Sequence, residues 1–381
     1  MKIAHIGLAC FFTEGMTYQD NYLSHYNALD GNEVLYVSNA AKYENGVVVS
    51  TGYEDERLPD GVRLVRLPYV HVLNGFVSDK FRKVKGLYAL LEDFAPDVIL
   101  SHDLSYWSVL DVIRYKKDHP QVKLYADIHT AAYNSGTNWL SLHVLHRIFY
   151  RYLVRQTLPY LEKFFYVGIG EKEFAVANYG VPETQMEFYP LGGTLLSDEA
   201  YAATRAKRRA ELGLEENDRL YVHSGKLDAL KRSDELLRAF FAVGDPHAVL
   251  AVIGSIPEDR KSVLLPLIEA DSRIRYLGWK TGEELQEYLC AADLYCQPGS
   301  VSATMQNAIC RNTPIMSYPH LAYTAALDYG EFFWVRNQAD MEQIFTKIKA
   351  DPAVLIPRAA AARRCAEELL DYRTLAARLY R

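Results

Sequence analysis

The chain has 381 residues, 49% of them hydrophobic, and a formal net charge of −6. At roughly 100–200 residues per domain it is too long for one ordinary core, and its acidic balance argues against bulk nucleic-acid binding. No run approaches the ~20 uncharged apolar residues of a membrane span, and five scattered cysteines without a C-x-x-C pair suggest neither a zinc site nor a disulfide framework. These features suit a reducing, cytoplasmic setting. The apolar start, MKIAHIGLACFF, has no small-residue cleavage site and reads as a core strand rather than a signal peptide.

In chain order, residues 2–10 are a short apolar run rich in β-formers, expected as a buried parallel strand. A loop around Gly15 leads into a helix. Strands are expected at 32–38 and 61–67, and a basic amphipathic helix at 79–93. The strand 96–102 ends in the polar pair His102 and Asp103, and the strand 122–129 ends in His129. A long aromatic, arginine-bearing helix is expected over 139–165, then a strand at 164–168 and a helix closed by Tyr179 and Gly180. The pattern then restarts. Residues 196–216 read as a linker with an outer helix. Strands at 220–223, 248–254, 274–277, 294–296, 314–317 and 331–335 alternate with helices at 232–243, 262–269, 282–290 and 339–349, before a helical tail over 356–381. Such alternation predicts mostly parallel, doubly wound sheets. The expected fold is α/β, with two Rossmann-like domains, 1–193 and 194–357, facing across a cleft, and a C-terminal segment, 358–381, crossing back to the first.

In such sheets ligands bind outside the carboxyl ends of the strands. His102, Asp103, Asp127 and His129 lie there in the first half. Lys226, Lys231 and the loop 299–307 lie there in the second. The stretch 293–316, DLYCQPGSVSATMQNAICRNTPIM, reads as strand, turn, hydroxyl-rich loop and helix start. Ser300, Ser302 and Thr304 sit where the helical periodicity begins, and a helix start is an anion site. In HSGKLDALKR, residues 223–232, Gly225 permits close backbone approach and Lys226 and Lys231 can neutralise a diphosphate; solvated lysines at a strand–helix junction are the plainer reading. Asp127 precedes His129 by two positions and so points to the same side of the strand, where it can orient the imidazole or pair with a lysine. Asn134 follows in a loop suited to reading hydroxyl groups or to making a turn.

These residues resemble a GT-B glycosyltransferase, most closely glycosyltransferase family 4. The family's Gly-Arg-Leu run with a later Lys is similar to Gly225, Lys226, Leu227 and Lys231, with Lys226 replacing the Arg. Its strand-ending Gly matches Gly254. Its base-contacting turn matches Tyr276, Leu277, Gly278 and Trp279. Its Glu-Leu-x-x-Tyr and Ala-Asp-x-x-x-x-Pro runs match Glu284, Leu285, Tyr288, Ala292, Asp293 and Pro298, and Thr313-Pro314 closes the series. The Pro-Asp-Val strand matches residues 96–102, the active-site histidine matches His129, and Pro190, Leu191 and Gly192 echo the family's domain-junction segment. The family usually carries two glutamates eight positions apart. Their places are taken here by Gly299 and Asn307.

The resemblance implies transfer of a sugar from a nucleoside-diphosphate-sugar donor to a hydroxyl of a glycan or lipid-linked acceptor. It implies retention of configuration, with no metal and no separate cofactor. It gives catalytic roles to His129, Lys226 and Lys231. Donor contacts fall to Gly15, Gly225, Gly254, Leu277, Gly278, Trp279, Ser300, Val301, Ser302, Ala303, Thr304, Gln306 and Asn307, and acceptor or orienting roles to His102, Asp103, Asp127 and Asn134. Basic, aromatic faces over 79–93 and 143–165 suit peripheral contact with an anionic inner-membrane surface; solvated helix faces explain the same residues. Two other readings stay open. One is a non-catalytic GT-B subunit partnering another glycosyltransferase, which the missing glutamates favour. The other is a GT-B nucleotide-sugar epimerase, which would want carboxylates flanking the sugar.

Overall fold

The computed structural model describes the whole chain except Thr17, Asn45, Gly46, Ala326 and Asp328. It divides into two compact units, Met1–Pro190 with Tyr372–Arg381, and Leu191–Asp371. The segment 358–381 is thus shared: only its last ten residues join the first unit.

The strands of the first unit are β1 (Lys2–Gly7), β2 (Glu33–Asn39), β3 (Ala41–Glu44), β4 (Val47–Ser50), β5 (Glu54–Arg57), β6 (Arg63–Leu67), β7 (Val98–His102), β8 (Lys123–Ile128), β9 (Lys163–Tyr166) and β10 (Met186–Phe188). One sheet runs β10-β9-β8-β7-β1-β2-β6-β5, parallel except for the antiparallel edge β5. The chain winds outward from β1 to β2 and β6, then returns to β1's other side with β7. That reversal is the switch point of a doubly wound sheet, where strand ends splay and ligands enter. The hairpin β3–β4 and the strand β5 were absent from the sequence reading. β3 and β5 are mostly polar, and β4, though it reads Val47-Val48-Val49, is four residues long and mostly exposed, so none shows a core-facing alternation.

Both faces of the sheet are covered. Ala4, Ile6, Ile99, Leu124 and Ala126 pack on one side. On the other, Ile3, Val98, Leu100 and Phe165 meet Tyr372, Leu375 and Leu379 from the chain's end. Tyr189 Oη donates to the Leu375 carbonyl (2.8 Å), fixing the terminal helix Tyr372–Ala377.

Two helices differ from expectation. Residues 79–93 form two helices, Gly75–Phe81 and Leu87–Phe94. Arg82 and Gly86 break the run with left-handed backbone (φ 51 and 86), and Val84 bridges to Tyr69 instead. Arg82 can hold φ > 0 because its Nη1 donates to the Ser105 carbonyl (3.0 Å) and hydroxyl (2.7 Å). The segment expected as one helix over 139–165 is π-wound over Ser141–Tyr150, α over Arg151–Thr157, and ends in a tight turn, Leu158–Tyr160, with proline inside it.

The second unit holds β11 (Arg219–Lys226), β12 (Ala248–Ser255), β13 (Ile274–Gly278), β14 (Leu294–Gln297), β15 (Ile315–Ser317) and β16 (Phe333–Trp334), in the parallel order β13-β12-β11-β14-β15-β16. This is the same winding scheme. Its helices start on clear signals: Thr281 and Glu284 form a capping box before Gly282–Ala291, and Ser197 caps Asp198–Glu211. That outer helix is held by charge. Arg209 reaches Asp293 (3.0 Å), and Asp293 also accepts from the Leu220 amide (2.8 Å). So Asp293, a resemblance residue, is structural.

Candidate functional site

In the second unit, the carboxyl ends of β11 and β12 run closer than side chains allow. Gly225 and Gly254 have φ of 126 and 136, and a Cβ on Gly254 would lie 1.8 Å from the Gly225 carbonyl oxygen. Only glycine fits both places. After β11 the chain makes a tight turn, Ala229–Lys231, capped by Asp228 on the Leu230 amide (3.0 Å). The turn folds Lys231 back over Gly225, whose missing Cβ would stand 3.1 Å from the lysine Cε. Lys231 is 8% exposed. Burial pushes its pKa down, with Asp228 acting weakly in the other direction. Among the described residues no carboxylate lies within 4.0 Å of its ammonium. Lys226, at the strand end, is exposed.

The loop after β14 is fastened by its backbone. The Ser300 amide donates to the Leu230 carbonyl (2.8 Å), and His320 Nε2 donates to the Gly299 carbonyl (2.8 Å). Tyr323 Oη accepts from the Ser302 amide (2.6 Å) and donates to its carbonyl (3.2 Å). Gly299 packs directly on the Lys231 turn. A Cβ there would meet the Leu230 oxygen at 2.0 Å and the Lys231 carbonyl carbon at 2.6 Å. This is the physical reason no carboxylate side chain stands at 299: the lysine turn fills its space. At the second glutamate position, Asn307 Oδ1 stands 3.5 Å from where a Gly193 Cβ would be.

The helix start is weaker than the sequence suggests. Thr304–Ile309 has six residues, and Ala303 precedes it without a side-chain cap. Ser302 Oγ accepts from the Thr304 amide at 3.4 Å. Val301 and Ala303 are exposed; Ser300, Ser302, Thr304, Gln306 and Asn307 are half-buried. At the end of β13, Tyr276 Oη donates to the Gly254 carbonyl (3.0 Å), tying the base-side turn to the glycine pair. Leu277 is half-buried, Gly278 has φ 67, and Trp279 is 71% exposed.

In the first unit the strand-end residues cluster, but mostly below the surface. His102 and Asp127 are 3% and 0% exposed and bonded to each other (2.8 Å). Asp127 also accepts from the Asp103 amide (3.0 Å) and stands 3.6 Å from His129 Nε2. Burial opposes ionising Asp127, yet His102 and His129 hold its carboxyl well below the usual range. Burial likewise opposes charging His129, but the Asp127 carboxylate outweighs it and pushes the imidazole up to about 9. His129 is therefore an imidazolium at neutral pH. Its side chain is 41% exposed, whereas that of Asp127 is fully buried.

Asp103 adopts φ 64 and spends its carboxylate on the Leu104 and Ser105 amides and the Thr130 hydroxyl. Asn134 spends its amide on the Ala131 amide and the His129 carbonyl. Both shape loops. Gly15 lies in an exposed turn with φ 75; Thr17, from the same loop, lies outside the described residues. His5, Asn27 and Tyr36 complete the buried group and escaped the sequence reading. A histidine inside the apolar run KIAHIG was the available signal, since a buried polar group needs a partner.

Among the described residues no cluster of His, Cys, Asp and Glu is placed to hold a metal, and no helix is long and apolar enough to cross a membrane.

No protein-family model matches the chain, and no curated protein sequence matches it. Solved structures do. Anabaena HepE in complex with UDP and glucose superposes with a TM-score of 0.61 at 13% identity, over 99% of this chain and 98% of that one. WaaG, a glycosyltransferase involved in lipopolysaccharide biosynthesis, gives 0.59 at 14% identity over 99% of each chain. A glycosyltransferase from Rickettsia africae gives 0.66 at 11% identity, covering 99% and 96%. At such identities the likeness establishes the fold: two parallel α/β domains of the GT-B type, as the strand and helix pattern leads one to expect.

Proposed function

We propose that this chain is a glycosyltransferase that moves a sugar from a nucleoside-diphosphate-sugar donor to a hydroxyl of a glycan or lipid-linked acceptor, with retention of configuration and without a metal. The observation that carries the reading is Lys231: a buried ammonium with no carboxylate partner, held over a glycine cradle at the strand ends. A buried cation is costly unless an anion completes it. A diphosphate would do so, and Lys226 beside it would share the charge that develops on the leaving group. The backbone of 299–303, pinned on both sides, and the hydroxyls of Ser300, Ser302 and Thr304 offer donors for phosphate or sugar oxygens. Gln306 and Asn307 offer amides to ribose hydroxyls. The turn Leu277–Trp279 is assigned to the base. HepE has been solved with UDP and with UDP-glucose, which makes a uridine donor the first to test.

From the first unit we assign His129 to the transfer as a cation that stabilises developing negative charge. His102, Asp103, Asp127 and Asn134 act behind it, as supports. Transfer is assayed as release of the nucleoside diphosphate. Lys226→Ala and Lys231→Ala are expected to abolish most of it while circular dichroism stays unchanged; wild-type turnover in both would refute the donor assignment. If no nucleoside diphosphate binds, the non-catalytic subunit is the better reading.

We also assign this enzyme to a membrane surface. Trp139, Leu140, Val144, Ile148 and Tyr152 are all exposed along one helical stretch, and Leu73 and Phe76 are exposed as well. Lys80, Lys83, Arg147 and Arg155 lie among the same elements. Apolar side chains with nearby cations suit anionic lipid. Co-sedimentation with phosphatidylglycerol vesicles, reduced by Leu140→Glu with Ile148→Glu, is the expected result; equal recovery with neutral vesicles or with the variant would dismiss it.

A further inference from the structure

The buried polar group of the first unit is a chain of hydrogen bonds whose direction can be counted. It begins at Asn27, on the helix Gln19–Leu29. Asn27 Nδ2 donates to the Ala376 carbonyl (3.1 Å), so its Oδ1 must be the atom facing His5. An amide oxygen only accepts, so His5 Nε2 carries a proton and donates (2.8 Å). His5 is wholly buried, and burial pushes its pKa down to about 3, against the raising effect of Asn27. It is neutral, and its Nδ1 has a lone pair and no proton. That nitrogen faces His102 Nε2 at 3.0 Å, so His102 Nε2 must donate. On its other side, His102 Nδ1 faces Asp127 Oδ2 at 2.8 Å. Asp127 Oδ1 already accepts from the Asp103 amide (3.0 Å) and faces His129 (3.6 Å). A carboxylate so surrounded by donors accepts from His102 Nδ1 as well.

We propose that His102 carries both ring protons, donating from each nitrogen, and that with His5 and Asn27 it is a positioning residue that holds Asp127 ionised and turned toward His129. The geometry requires each part. A lone buried carboxylate would protonate rather than bear its desolvation. A neutral His102 could satisfy His5 or Asp127, but not both. Tyr36 lies near-parallel to both imidazoles, with centroids 6.0 Å from His5 and 5.8 Å from His102. The charged and titratable groups around the chain are few. His102 meets His5 from β1 and Asp127 from β8. His129 meets Asp127, Asp103 and, from the helix Gln19–Leu29, Asp20, which binds the Tyr36 hydroxyl (2.7 Å) and the Cys10 thiol (3.6 Å). Asp127 thus serves two cations, one sealed and one open to water. The sealed one sets the carboxylate; the open one is left to meet substrate. Only the catalytic consequence rests on His129 acting in the transfer.

The test is spectroscopic and needs no substrate. In full-length protein labelled with 15N-histidine, both ring nitrogens of His102 are expected to carry protons at pH 7, as the two hydrogen bonds require. A single-proton, neutral His102 at pH 7 would overturn the proposal. The second arm compares His5→Gln, whose amide oxygen can still accept from His102, with His5→Leu, which cannot. The His129 midpoint is expected to hold in His5→Gln and to move in His5→Leu, where the charge beside Asp127 changes; an equal shift in both would contradict the relay. Should His5→Leu not fold, the wild-type spectrum decides alone. Neither readout involves nucleotide, so loss of the glycosyltransferase reading would leave it standing.

Discussion

The two units wind their sheets alike but treat polar groups at the strand ends in opposite ways. In the first, His102 and Asp127 bond each other, Asp103 and Asn134 spend their side chains on nearby loop groups, and His129, 41% exposed, stands beside Asp127. In the second, Lys231 is buried with no carboxylate within 4.0 Å among the described residues, and Lys226 stands exposed at the strand end. A saturated network holds geometry; an unsaturated one awaits a ligand. Position at a strand end is therefore a poor guide to contact with substrate. The number of unspent donors is a better one.

The contrast can be broken by substitution. The largest effect is expected from Asp127→Ala, which removes the buried carboxylate that faces both His102 and His129. Removing one member of a buried pair costs about 3–5 kcal/mol, read as a fall in the denaturant midpoint at pH 7. Lys231→Ala should do the reverse of what core substitutions do. Transfer should drop about 100- to 1,000-fold, as when a preorganised charge-stabilising donor is lost, while unliganded stability stays level or rises because an unpaired buried charge has gone. A parallel loss of stability in Lys231→Ala would mean the lysine is structural. Gly299→Ala comes next. Its Cβ would press on the Leu230 carbonyl, so overpacking of about 1–3 kcal/mol is expected, together with weaker nucleotide binding. Tyr323→Phe removes the phenol that clamps Ser302 and should cost about 1 kcal/mol, with a raised KM for donor.

Titration sharpens the same comparison. His129 is raised from its ordinary 6.5 to about 9, so its contribution to stability is complete below 6.5 and is lost as pH rises through about 9. Asp127 is depressed from 3.8, so its contribution is complete above 3.8 and lost only in stronger acid. His129 is open to water, so the alkaline loss should be modest. It should vanish in Asp127→Ala. A pH–stability curve of unchanged shape in that variant would contradict the pairing.

Much of this was legible in the sequence. Buried runs such as ILSH and YADIH, ending in polar residues, gave both the parallel sheet and the strand-end positions. The order of Gly225, Lys231, Gly254 and Thr313 gave the second unit. What escaped depends on contacts distant in the chain. Nothing local says that Arg82 takes a left-handed turn; Ser105, 23 residues on, makes it possible. Nothing near Gly299 says why a glutamate is absent; the backbone of Leu230 does. His5 and Asn27 meet 22 residues apart, and only counted donors and acceptors show what they do together.

The central claim is that the second unit holds a diphosphate through Lys231. Its most direct test is the melting temperature of wild type and Lys231→Ala with and without UDP, with GDP and dTDP in parallel. The expected result is a rise for wild type with one nucleotide and none for Lys231→Ala, whose unliganded form melts no lower than wild type. An equal rise in both proteins, or no rise with any nucleotide, would contradict it.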